Sequence, residues 1–288
     1  MRDLKGKTAF ITGGASGIGF AMAQAFGRAG MSVMLGDIEE APLKAAVAAL
    51  EANQIRAAGV LCDVADRAAL EAAAARTVET FGKVHVVCNN AGVGAGGPID
   101  QVAPSDWDWI VAVNLMGVVY GTEAFLPHIR AHGEGGAFVN TASMAGMISV
   151  PGMEPYSATK FAVVAMSEGW AGQLAAENIG VSVLCPGFVK TRIDQSGRAR
   201  QAKYGGPKEV SPEGTSALVQ GGIDPARVGE RVREAVEREE FYIFTHPDMR
   251  AHVEQRFSRI MAGFDQAAAS EALAGMDYAT PEISMLDG

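Results

Sequence analysis

Tyr156 and Lys160 stand four residues apart in EPYSATKFAVVAM. In a helix that spacing puts both side chains on one face. A free phenol titrates near pH 10, and a neighbouring ammonium favours the phenolate, which would make the tyrosine a usable base closer to neutrality. The same pair is also compatible with an ordinary solvated helix face. Two further polar residues bear on the choice. Ser143 closes the strand-like run GGAFVNTAS, thirteen residues before Tyr156. Asn114 lies inside the apolar, helix-like WDWIVAVNLMGVVYG. An amide there is costly unless satisfied, so Asn114 is either a bonded structural residue or part of a site.

A second group of residues suits a nucleotide. TGGASGIG, Thr12 to Gly19, joins a strand-like run to a helix-like one. Glycines in such a turn let backbone N–H groups approach a phosphate, and the helix N-terminus favours the negative charge. Gly-rich turns also serve tight packing alone. Asp37 ends the next run, SVMLGD, eighteen residues after Gly19. An acid there accepts hydrogen bonds from an adenosine ribose. Glu39 and Glu40 follow with no nearby Arg or Lys to meet a 2′-phosphate, so NAD is expected over NADP. Asp63-Val64 and Asn89-Asn90-Ala91-Gly92 close two further runs, where each could equally be a capping turn.

These residues need a frame, and the chain supplies one. Seven short apolar runs, KTAFIT, SVMLGD, AAGVLCD, KVHVVCNN, GGAFVNTAS, GVSVLCPG and FYIFTH, alternate with helix-like stretches. That pattern predicts a doubly wound, mainly parallel α/β sheet of about seven strands, covered on both faces. Ligands then sit outside the carboxyl ends of the strands, where the turns above fall. One domain is expected over residues 1–264, with a tail over 265–288 that breaks at Pro281. Residues 190–224 are polar, Gly/Pro-rich and poorly periodic, as a substrate loop would be.

Hydrophobic residues are 48% of the 288 and charged residues 20%, enough for a large core. A formal net charge of −9 argues against nucleic acid as a partner. No apolar run is long enough for a bilayer, and the N-terminus lacks a signal segment, so a cytoplasmic location is expected. Cys62, Cys88 and Cys185 follow apolar runs without metal-ligand spacing and are expected to be buried thiols. No metal is expected.

In combination these motifs resemble the short-chain dehydrogenase/reductase family over about Lys5 to Thr191. TGGASGIG is similar to its TGxxxGxG turn, NNAG to its sheet-stabilising turn, YSATK to its YxxxK and PGFVKT to its PGxxxT. The resemblance implies a Rossmann-type fold and a catalytic set of Asn114, Ser143, Tyr156 and Lys160. Tyr156 would exchange the proton, Ser143 steady the substrate oxygen, Lys160 hold ribose and lower the tyrosine pKa, and Asn114 position a water. Gly13, Ser16, Gly17, Ile18 and Gly19 would receive the pyrophosphate, Asp37 the ribose, and Asp63 and Val64 the adenine. Asn90, Ala91, Gly92, Tyr156, Lys160, Pro186, Gly187, Val189 and Thr191 would border the nicotinamide half. A small-molecule substrate and a homodimer or homotetramer are implied. The FYIFTHPD segment and the long C-terminal region depart from the family's common Gly-Gly ending. They resemble bacterial dehydrogenases that oxidise the Cα alcohol of lignin-type β-aryl ethers.

Met144, Met147 and Met153 follow Ser143, and Phe188, Ile193 and Tyr204 lie in or near the irregular loop. Together they would make an adaptable apolar pocket, although methionine also fills cores. Lys190, Arg192, Arg198, Arg200 and Lys203 are expected to coat a solvated loop. The expected substrate is a bulky, mostly uncharged secondary alcohol or its ketone, with a steroid as rival. A sugar-nucleotide epimerase or dehydratase and a non-catalytic nucleotide sensor are the readings from other classes.

Overall fold

The computed structural model describes residues 3–208 and 214–277. Its seven strands are β1 (Thr8–Thr12), β2 (Ser32–Asp37), β3 (Ala57–Leu61), β4 (Val86–Asn89), β5 (Gly136–Thr141), β6 (Ile179–Cys185) and β7 (Tyr242–Phe244). All pair in parallel in the order β3-β2-β1-β4-β5-β6-β7. The chain winds outward from β1 to β3, then returns to place β4 on the other side of β1. That reversal opens a crevice at the carboxyl ends of β1 and β4.

Alternation along the strands divides the core into two layers. Ile11, Val33, Leu35, Val139 and Leu184 face α1 (Gly17–Arg28), α2 (Glu40–Ala52) and α8 (Pro225–Arg238). Phe10, Met34, Val87 and Phe138 face α3 (Arg67–Phe81), α4 (Pro104–Val111) and α5 (Gly117–His132). On this side too, α6 (Glu154–Leu174) packs Val163 and Val164 near Val183 and Cys185 of β6. The inner strands are buried on both faces, as their unbroken apolar runs require. Edge strand β3 is not, and Leu61 is 58% exposed.

Two expectations change. Across Ala112–Met116 a π turn joins α4 to α5, giving one helical stretch of 29 residues, Pro104–His132, long and apolar enough to cross a membrane. The polar Asn114 masks this continuity in the sequence. More than half of its most apolar window is buried within the fold, as in a core helix. At the C-terminus, α9 (Arg250–Ala268) runs through Asp265, so the expected tail begins inside a helix. Pro281 lies outside the described residues. The three cysteines are buried free thiols, and burial pushes Cys62 and Cys185 up to about 12.

Polar residues inside strands are bonded to one another. Asn89 Nδ2 donates to Asn140 Oδ1 (2.9 Å) and Thr122 Oγ1 (3.1 Å), and Asn140 Nδ2 donates to Ser167 Oγ (3.0 Å). This ties β4 and β5 to α5 and α6. At the opposite end of the sheet, buried His85 accepts the Thr8 N–H on Nδ1 (3.1 Å). A backbone N–H only donates, so the ring proton is on Nε2, where it meets Glu134 Oε2 at 3.0 Å. Burial lowers the His85 pKa, outweighing the Glu134 hydrogen bond. Lys7, Lys83 and His132 are the other titratable groups around this cluster.

The sign of the pH effect follows. His85 is neutral when folded and titrates near 6.5 when unfolded, so its contribution is present above about pH 6.5 and is lost as pH falls towards the lower folded value. His85→Asn keeps an acceptor for Thr8 without the titration. Thermal denaturation between pH 7.5 and 5 is expected to show a shallower loss of Tm in His85→Asn than in the wild type. Parallel curves would assign the acid sensitivity elsewhere.

Candidate active site

The carboxyl edge of the sheet opens into a cleft of about 520 Å³ whose lining runs from Asp37 through Tyr156 to Phe188. At one end, β1 passes through Gly13 (φ 62°) into α1 at Gly17 (φ 54°), both in the left-handed region that favours glycine. A Cβ on Gly19 would collide with the Gly13 carbonyl and stand 2.7 Å from Asn90 Nδ2. Gly19 is therefore a packing residue beneath the turn. Ser16, the N-cap of α1, makes no side-chain cap and lines the cleft, which leaves the helix start facing it.

Asp37 accepts the Ala15 N–H (Oδ2, 3.0 Å) and the Glu39 N–H (Oδ1, 3.0 Å). A carboxylate has about four lone-pair sites, so it retains capacity towards the cleft. Asp63 Oδ1 accepts from Ala65 N (2.9 Å) and Gln201 Nε2 (2.9 Å), and Val64 lies beside it. Glycine turn, free helix start and acid thus occur in the order that pyrophosphate and adenosine ribose require, and the residues present fit a nicotinamide dinucleotide. Of the expected cofactor residues only Gly19 is absent from the cleft wall.

Two of the supposedly solvated loop cations are elsewhere. Against the expectation that no Arg or Lys lies near the ribose site, Arg198 comes to the adenosine end, where it is paired with both carboxylate oxygens of Glu39 (Nη2 at 2.6 Å, Nε at 3.2 Å). Arg200 is 3% exposed, ion-paired with Asp106 and bonded to Ser105 Oγ (3.0 Å). Their acidic partners lie 159 and 94 residues away in sequence, too far for local pattern to reveal.

At the other end, Tyr156 and Lys160 project from α6, and Ser143 stands just past β5. Lys160 is 2% exposed and donates from Nζ to Thr141 O (2.8 Å), with Nζ 5.5 Å from the Tyr156 ring centre. Burial draws its pKa down to about 8. The Tyr156 phenol is raised by burial, with the Ser143 hydrogen bond opposing. This reverses the expected lowering: the ammonium is turned to a carbonyl, and desolvation dominates. Ser143 Oγ accepts from Ala145 N (3.1 Å) and donates to Pro186 O (3.4 Å).

Asn114 lies in the π turn, fully buried. Its Oδ1 accepts the Val93 N–H (2.8 Å), and its Nδ2 donates to Val93 O (2.9 Å) and Thr159 Oγ1 (3.4 Å). The side chain is thus a satisfied brace. It still belongs to the constellation, because a Cβ on Gly92 would stand 3.4 Å from Lys160 Nζ and 3.5 Å from Asn114 Oδ1.

Met144, Met153, Phe188 and Ile193 line the cleft as expected. Met147 and Tyr204 do not. Met147 is buried in the apolar cluster of α6 and β6. Tyr204 is half-buried against the cluster that faces α3, α4 and α5, beneath Lys203. Ile148, Val150, Leu218 and Met249 complete the apolar wall instead. Val150 was readable as a neighbour of Met153, whereas Leu218 and Met249 arrive only through tertiary packing.

Comparison with known proteins agrees with this geometry. The family model for short chain dehydrogenases matches residues 7–202. A C alpha-dehydrogenase of Sphingobium sp. is 37% identical, covering 91% of this chain and 87% of its own. A 3beta-hydroxysteroid dehydrogenase 2 of Eggerthella lenta is 35% identical over 72% of this chain and 86% of its own. The crystal structure of a short chain dehydrogenase/reductase from Burkholderia phymatum, in complex with NAD, superposes with a TM-score of 0.87 at 37% identity, covering 91% and 97% of the two chains. With the seven-stranded parallel sheet and the residues of its carboxyl edge, these matches establish that the chain belongs to the short-chain dehydrogenase family of oxidoreductases.

Proposed function

We propose that the protein is an NAD-dependent dehydrogenase interconverting a bulky aryl secondary alcohol and its ketone, with the Cα alcohol of lignin-type β-aryl ethers as the favoured class. The observation that carries this reading is the placement of Ser143, Tyr156 and Lys160 in the wall of one cleft that continues to Asp37. The uncharged wall of Met144, Ile148, Val150, Met153, Phe188 and Leu218 supports a large apolar substrate. Likeness to the Sphingobium C alpha-dehydrogenase supports the aryl-ether class. Asp37 supports NAD, since a second negative charge at the ribose would face its carboxylate.

A bound nicotinamide supplies the hydride acceptor or donor. The chain's own residues manage the proton and the oxygen. Tyr156 receives the hydroxyl proton in oxidation and returns it in reduction. Ser143 steadies the same oxygen, for which its hydroxyl must leave Pro186 O. Lys160, below about pH 8, is a buried cation beside that oxygen's proton path. Asn114 holds the Val93 backbone against the lysine. The neighbouring apolar side chains exclude water. A homodimer or homotetramer belongs to the same proposal and is measurable by sedimentation.

Purified protein with an aryl secondary alcohol panel, including a steroid alcohol, is expected to form NADH with NAD⁺. Tyr156→Phe should lose at least ~1,000-fold in turnover while still binding NADH. A tenfold preference for NADP would overturn the Asp37 argument, and binding without turnover across the panel would favour a sensor.

Because burial raises the Tyr156 phenol, kcat/KM for oxidation should climb through the alkaline range as phenolate forms, while ketone reduction falls there. An oxidation profile flat from pH 7 to 10 would oppose this assignment.

Lys160 contributes to function at a cost to the fold. Burial holds its folded pKa at about 8, well below the ordinary lysine value, which corresponds to roughly 3 kcal/mol against burying the ammonium. Lys160→Met is therefore expected to keep or raise Tm without nucleotide while turnover falls by orders of magnitude. A loss above about 2 kcal/mol on urea denaturation would show that the Thr141 bond outweighs desolvation.

A further inference from the structure

Beyond the residues matched by the family model, the segment after β7 delivers a ring to the active-site floor. His246 lies against the turn that follows β6. Its Nδ1 accepts the Gly187 N–H at 3.0 Å, so the ring proton resides on Nε2, which donates to Phe188 O at 3.1 Å. Thr245 Oγ1, 2.8 Å from Nδ1, is the remaining polar neighbour of the ring. Phe188 O also accepts the Ile223 N–H at 3.0 Å. The contact is close enough to require glycine, since a Cβ on Gly187 would stand 2.8 Å from the imidazole.

A neutral imidazole carries one acceptor and one donor at fixed separation on a rigid ring. Here it grips the N–H of one residue and the C=O of the next. The residue just before them is Pro186, whose carbonyl receives the Met144 N–H (2.9 Å) and the Ser143 hydroxyl (3.4 Å). Phe188, the residue gripped at its carbonyl, is 44% exposed in the cleft wall. One ring therefore fixes a turn bearing both the resting partner of Ser143 and an apolar wall residue.

We propose that His246 is a positioning residue for substrate: it clamps Gly187 and Phe188, and through them sets the Phe188 side chain and the Pro186 carbonyl that holds Ser143. This rests on the reading of Ser143 and Phe188 as parts of an alcohol-oxidising site. His246 itself touches no reacting atom. It acts by removing freedom from a turn that would otherwise carry an unpaired Gly187 N–H and a Phe188 carbonyl held by Ile223 alone.

His246→Phe keeps the ring and removes both hydrogen bonds, and His246→Asn keeps an acceptor near Nδ1. In His246→Phe, amide exchange at Gly187 is expected to accelerate ~10-fold or more, and kcat/KM for the best aryl alcohol to fall ~10-fold. NADH affinity should fall less than kcat/KM, because the glycine turn and Asp37 are untouched while Pro186 and Gly187 border only the nicotinamide half. His246→Asn should restore Gly187 protection and part of kcat/KM, which a loss of mere packing would not show. Unchanged Gly187 exchange in His246→Phe overturns the clamp, as does a loss of NADH affinity and Tm in step with kcat/KM. Should the wild type turn over no alcohol, the catalytic reading fails separately, and exchange at Gly187 still decides whether the clamp exists. If His246→Phe does not fold, faster exchange at Ile223 in His246→Asn supports the clamp, and unchanged exchange opposes it.

Discussion

The site depends on a short run of hydrogen bonds that locks three strand ends together. Thr12 Oγ1, at the end of β1, accepts the N–H groups of Asn90 (2.9 Å) and Ala91 (3.0 Å), just past β4. Asn90 returns a bond from Nδ2 to Thr12 O (2.9 Å) and accepts from Thr141 Oγ1 of β5 (3.3 Å). Thr141 O then receives the Lys160 ammonium. Backbone groups at the ends of parallel strands lose their ladder partners, and in a buried position they must be paired some other way. Here the pairing fixes the crevice between β1 and β4 and carries that rigidity to α6. Gly13, Gly19 and Asn90 can then approach more closely than side chains would allow.

The irregular segment after β6 is held over this crevice by polar contacts of unequal strength. Ser196 Oγ accepts the Gly94 N–H (2.9 Å), and Gln201 bridges Asp63 and Trp109 Nε1 (3.0 Å). Arg198 reaches Glu39 at a part-exposed position, where screening leaves an ion pair little net energy. Arg200 and Asp106 are different. Burial would raise the Asp106 carboxyl, but its hydrogen bonds to Lys208 and Arg200 hold it below the usual range. Removing one partner of such a pair costs about 3–5 kcal/mol, because the other charge is left without water. A segment with little regular structure thereby keeps a defined course along the cofactor cleft.

Burial also sets the chemistry. Lys160 is buried and Tyr156 half-buried in the cleft wall, and desolvation disfavours the charged form of each. Folding alone would select an apolar residue at position 160. An ammonium there makes sense where charge develops during a reaction, because its field is least screened in that environment.

Strand runs and their spacing settled the topology and named most of the residues that line the cleft. Seven apolar runs alternating with helical periodicity leave few arrangements other than a doubly wound sheet. YSATK, Ser143, TGGASGIG and Asp37 were legible because each sits at a fixed, short distance from the end of a strand or helix. Tertiary structure alone decided what depends on long-range approach. It turned Met147 into the core and Tyr204 against it, brought Leu218 and Met249 to the cleft, and buried Arg200 against Asp106. It also gave Asn114 a backbone partner, turned Lys160 to a carbonyl and placed His246 under Gly187. Local spacing specifies which way a residue points along its own element. Burial and pairing, which set its charge state and its work, come from groups that only the folded chain brings within reach.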